Sequence, residues 1–160
     1  MEIDGSNQVV VLLSGSEVMH AAMAGVMRRW SALSKGRNGV YGADVRAAWD
    51  HDINGALAEY AVAKWLGAFW SPTIGRIDQA DVRQFQVRSK LLKTDRLVVR
   101  PCDKDTDIFI SVLVETPKYT LCGWLEGGEA KCDKWVVAID RPPMYFVPDK
   151  FLRPMARLNK

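Results

Sequence analysis

The stretch Asp81-Val82-Arg83-Gln84-Phe85-Gln86-Val87-Arg88-Ser89-Lys90 decides how this chain reads. A two-residue turn at Arg83-Gln84 sets Val82 opposite Phe85 and Asp81 opposite Gln86, on one face of a sheet. Alternation along the strand puts Arg88 and Lys90 on the face of Gln86. Val82, Phe85 and Val87 point the other way, into a core. The expected product is a ladder of an acid, an amide and two cations, backed by apolar packing. Arg-Gln is a poor turn pair where Asn-Gly is preferred, and a solvated hairpin face is the plainer alternative.

Upstream of this stretch the pattern is helical. Ser14 followed three positions later by Glu17 forms a capping box, and a helix is predicted over 15–33, with Val18, Ala21, Ala22, Val26 and Trp30 at helical spacing. Residues 35–42 are rich in Gly, Asn and cations and read as a loop. A second helix is predicted over 50–66, stopped by Gly67. Its segment Ile53-Asn54-Gly55-Ala56-Leu57-Ala58-Glu59-Tyr60-Ala61-Val62-Ala63-Lys64-Trp65-Leu66 is apolar on nearly every side, as in a helix buried against several neighbours.

Glu59 stands among Gly55, Ala56, Val62, Ala63 and Leu66 at three- and four-residue spacing. A carboxylate buried there is paired with Lys64 or an arginine, protonated, or bound to a metal, because an isolated buried charge is very costly. An exposed, solvated glutamate is the remaining alternative.

The second half reads as strands over 97–99, 108–115, 119–125 and 135–139, with a turn at Gly127-Gly128. Residues 141–160 carry four prolines and read as a wrapping tail with a short final helix. The expected class is α/β (α+β): a central mixed, largely antiparallel sheet flanked by helices. The chain reads as one domain over 1–160, with its core over about 14–140.

The 160 residues are 48% apolar and 26% charged, which excludes a disordered chain. The net charge of +3, from 22 basic and 19 acidic side chains, permits a nucleic-acid partner without arguing for one. No apolar run is long enough to span a bilayer. Cys102, Cys122 and Cys132 lack CxxC spacing and read as free thiols, so a cytoplasmic location is expected. Arg28-Arg29-Trp30 with Lys35 and Arg37, and Lys90, Lys93, Arg96 and Arg100, are basic stretches able to track a phosphate backbone or simply to be solvated. Trp49, Trp65, Trp70, Trp124 and Trp135 read as core rather than base-stacking platforms, and His51 as a structural or solvent-facing histidine rather than a general base.

The order of these features resembles the PD-(D/E)XK nuclease superfamily, in particular small phage-type members. The resemblance covers about 50–135. It rests on Ile53 to Glu59 in the helix, Ala80-Asp81-Val82, Gln86-Val87-Arg88, and Gly123-Trp124-Leu125 with Glu129-Ala130-Lys131. It implies a restriction-endonuclease-like fold and a site in which Glu59 is the helical acid and Asp81 the central ligand of Mg²⁺ or Mn²⁺. Gln86 takes the place of a second acid, the Val87 carbonyl is a further ligand, and Arg88 stands at the usual lysine position, with Lys90 as an alternative cation. Gln86 is neutral but still offers an oxygen, whereas a guanidinium cannot release a proton near neutral pH.

The implied activity is metal-dependent hydrolysis of DNA phosphodiester bonds. The rivals are a module of the same fold that binds DNA or a protein partner with weakened catalysis, and a phage accessory or inhibitory protein. Homo-oligomers are compatible with so small a domain; a membrane is not an expected partner.

Overall fold

The computed structural model describes residues 2–4, 8–36, 47–74, 79–138 and 143–159. It is a mixed α/β arrangement of three helices and two sheets. Strands β1 (Glu2–Asp4) and β2 (Gln8–Leu12) lead into helix α1 (Gly15–Ser34) and helix α2 (Ala48–Leu66). Strands β3 (Phe85–Lys90), β4 (Leu97–Val99), β5 (Ile108–Glu115) and β6 (Lys118–Glu126) follow, then the one-turn α3 (Gly127–Ala130), β7 (Val136–Val137) and β8 (Met144–Val147).

The larger sheet has the order β1-β2-β6-β5-β3 and is antiparallel except for the β3–β5 pair. The smaller sheet, β4-β8-β7, is antiparallel. The parallel β3–β5 pair departs from a simple run of hairpins. Seventeen intervening residues, holding β4, allow the chain to cross over and re-enter beside β3 in the same direction.

The two helices form as their sequence signals require. Ser14 caps α1: its hydroxyl accepts the Glu17 N–H, and the Glu17 carboxylate accepts the Ser14 N–H at 2.7 Å. Gly67 ends α2 in the left-handed region at φ 60°. The expected spacing on α1 divides, however. Its buried face consists of Ala21, Ala24, Gly25 and Ser31, whereas Trp30 is 60% exposed. Gly25 explains this: a Cβ there would lie 2.5 Å from Ile53 Cα, so the helices approach along small residues and the bulky side chains turn outward.

Helix α2 is buried on both flanks, by α1 and by the larger sheet. Phe85, Val87, Ile110, Val112, Tyr119 and Leu121 face it from the sheet. A second cluster, Leu97, Val99, Phe109, Leu125 and Val147, joins the sheet's opposite face to the smaller sheet.

Two further local expectations are corrected. Gly127-Gly128 opens the short α3 because its N–H groups bond Asp107 and Asp105 carbonyls at 2.8 and 2.9 Å. The tail contributes β8 and two 3-10 turns, Asp149–Phe151 and Met155–Arg157, and a bridge from Arg153 to Trp124. Most of the expected loop over 35–42 lies outside the described residues.

Candidate functional site

The turn at Arg83-Gln84 forms: Val82 and Phe85 exchange backbone hydrogen bonds of 3.1 and 2.9 Å, and Arg83 takes φ 53°. Asp81 does not stand in a strand opposite Gln86. It sits just before the bridge, and its Oδ2 accepts the Val87 N–H at 2.7 Å. Strand β3 is the edge of its sheet, so this carboxylate satisfies a donor that would otherwise face outward.

Glu59 on α2 is 5% exposed. Its oxygens accept from Arg28 Nη1 and Nη2 at 2.6 and 2.7 Å, a fork-to-fork pair. Arg28 Nε donates to the Thr73 carbonyl at 2.9 Å, which fixes the guanidinium plane. Arginine therefore fills the partner role that the burial of Glu59 demands. The Trp70 indole N–H completes no hydrogen bond, yet lies near enough to favour the charged form of Glu59.

Burial and a neighbouring carboxylate raise the pKa of each acid, Asp81 acting on Glu59 and Asp103 on Asp81. Burial raises the pKa of Glu59, and the neighbouring Asp81 charge raises it further against the pull of Arg28. Burial also raises that of Asp81, opposed by the Val87 N–H, Arg88 and Arg28. The Glu59 carboxylate in turn raises the pKa of Arg28 despite its burial. Arg88 Nη1 lies 3.9 Å from Asp81, while its Nη2 reaches Asp103 at 3.2 Å and its guanidinium rests 4.9 Å from the Phe109 ring centre. Among the described residues Glu59, Asp81 and Asp103 thus face Arg28 and Arg88, three carboxylates against two guanidiniums, with Lys131 bonded to the Asp103 backbone carbonyl at the rim.

Other residues of the expected ladder are distributed differently. Gln86 is half-buried on the sheet face away from α2, and among the described residues its amide has no hydrogen-bond partner. The Val87 carbonyl receives Arg88 Nη1 at 3.3 Å, so it is already engaged. Lys90 is not gathered with Asp81. It lies three residues beyond Val87, roughly 10 Å of strand, 6% exposed, bound to the Asp149 carboxylate and to the Asp95 carbonyl at 3.1 Å.

Arg28 also leaves the set of cations open to phosphate, as does Arg29, which bonds Asp52 at 2.7 Å. Asp103 and Asp149 were missed by sequence reasoning. Asp103 had a usable signal, since the acidic run Asp103-Lys104-Asp105-Thr106-Asp107 enters β5 beside β3. Asp149 had none.

Among the described residues no three His, Cys, Asp or Glu side chains form a ready-made metal cage. Mg²⁺ characteristically takes one or two carboxylates and several waters. Among the described residues Asp81 Oδ1 and the Gln86 amide oxygen take no hydrogen bond and are oxygens of that hard kind, though no hydrogen bond joins the two side chains. Glu59 fits at one remove, as the holder of Arg28. Comparison with known proteins adds no relative: no family model, curated protein or solved structure matches the chain. No helix among the described residues is long and apolar enough to cross a membrane.

Proposed function

We propose that the chain is a DNA phosphodiesterase of PD-(D/E)XK type, dependent on Mg²⁺ or Mn²⁺, with its site at the start of β3. The observation that carries this reading is the charge cluster at the start of β3, where Arg88 lies 3.9 Å from Asp81 and 3.2 Å from Asp103 beside the buried Glu59–Arg28 pair. Asp81, held among these groups with the Val87 N–H on one of its oxygens, is the acid that a further positive charge would meet.

Asp81 and Gln86 hold the cation. When bound, it supplies an activated water and a clamp on the phosphate oxygens. Arg88, aimed by Asp103 and Phe109, neutralises the charge that grows on the phosphate. Being permanently protonated, it stabilises but does not donate a proton. Glu59 positions Arg28, and the exposed Lys93, Arg96 and Arg100 contact the backbone further along.

A second reading, a DNA-binding module without cleavage, draws on the engagement of both Glu59 oxygens by Arg28 and of the Val87 carbonyl by Arg88. Incubating DNA with the full chain and Mg²⁺ or Mn²⁺ separates the two. Cleavage that Asp81→Asn reduces by about a hundredfold or more, with the far-ultraviolet spectrum unchanged, supports the phosphodiesterase. DNA retained uncut under both metals supports the binding module instead.

A further inference from the structure

The outer face of α1 carries a seam that is exposed among the described residues. Ser16, Met19, Met23, Val26, Trp30 and Leu33 follow one another at steps of three and four residues, the a/d repeat of paired helices. The opposite face, Ala21, Ala24 and Gly25, is the one that packs on α2. Met19 is 66% exposed, Met23 56%, Met27 41%, Trp30 60% and Leu33 49%. Together these side chains present roughly 550 Å² to water, above the few hundred Å² of contiguous apolar patch usual on a soluble monomer.

We propose that this seam is a homodimer interface, in which α1 of a second copy packs antiparallel across a two-fold axis near Met23 and Val26. Three features select a second copy. The exposed face from Ser16 to Ser34 contains no Asp, Glu, Lys or Arg, so two identical seams meet without like-charge repulsion. Antiparallel pairing sets the helix dipoles head to tail. Two copies bury roughly 1,100 Å², enough for a specific if modest interface. The methionines suit it, because their flexible side chains interlock without demanding one geometry. In this arrangement Met23 faces Val26 of the partner subunit.

Sedimentation velocity on the full chain at micromolar concentrations tests the proposal. The natural sequence is expected to sediment as a dimer. Met23→Glu should weaken association by about tenfold or more, with an unchanged far-ultraviolet spectrum. Mixing Met23→Glu with Val26→Lys chains should restore a dimer, since the two new charges meet across the axis. If Met23→Glu prevents folding, Met23→Ser serves in its place. A natural chain that remains monomeric, or a Met23→Glu chain that remains fully dimeric, overturns the proposal, and neither result bears on cleavage at Asp81.

Discussion

The two ends of β3 both bury ion pairs, but among the described residues one end is evenly matched and the other gathers more acids than cations. At its tail, Lys90 and Asp149 close on each other, one cation against one anion, beside a cleft of about 260 Å³. The nearby Cys122 thiol is pushed up to about 11 by burial, so it stays protonated and unreactive at neutral pH. At its head, Glu59, Asp81 and Asp103 outnumber Arg28 and Arg88 among the described residues, and burial raises the proton affinity of Glu59 and Asp81, with the Asp81 charge adding to that of Glu59. Burial alone does not make a site. On the proposed reading, the surplus of acids at the head is what would draw a cation there.

The sharpest way to break this comparison is to remove one partner at each end. Arg28→Ala strands the Glu59 carboxylate and should cost about 3–5 kcal/mol in urea unfolding, whereas Arg28→Met with Glu59→Leu should recover most of that loss. Lys90→Met should cost less, roughly 1–3 kcal/mol, because the Asp149 side chain is 27% exposed and can rehydrate. Equal losses at both ends would erase the distinction.

The excess charge also sets a pH dependence. Raised carboxyl pKa values mean that the folded chain binds protons more tightly than the unfolded one. This contribution to stability is complete below the ordinary carboxylate range and is lost as pH rises through the raised values. Asp81→Asn removes one titrating group and relieves Glu59 of a neighbouring charge. Unfolding midpoints measured from pH 4 to 7 should therefore vary less in Asp81→Asn than in the natural chain. The smallest effect belongs to the turn. Arg83→Gly relieves a left-handed residue and should stabilise by at most ~1 kcal/mol, leaving both ion pairs intact.

Much of the head of β3 was legible in the sequence. The Ser14 and Glu17 capping box, the Gly67 stop and the Val82–Phe85 turn are local devices, and each formed where its residues stood. The need of Glu59 for a partner was also legible, because apolar neighbours at helical spacing leave a carboxylate few options. That the partner is Arg28 was not: 31 residues separate them, and only the close crossing at Gly25 brings the two helices together. Trp30 misled for the same reason, since the small face of α1 won the core. Alternation placed Lys90 with Arg88, but it could not show that Asp149, 59 residues on, would capture it.

Trp70 offers a direct reading of the central claim, because its indole lies beside Glu59 at the head of β3. Tryptophan fluorescence followed through a Mn²⁺ titration should show one saturable transition in the natural chain. It should be weaker in Glu59→Gln and absent in Asp81→Asn. A signal that does not saturate, or one that Asp81→Asn leaves unchanged, would contradict a cation site at Asp81.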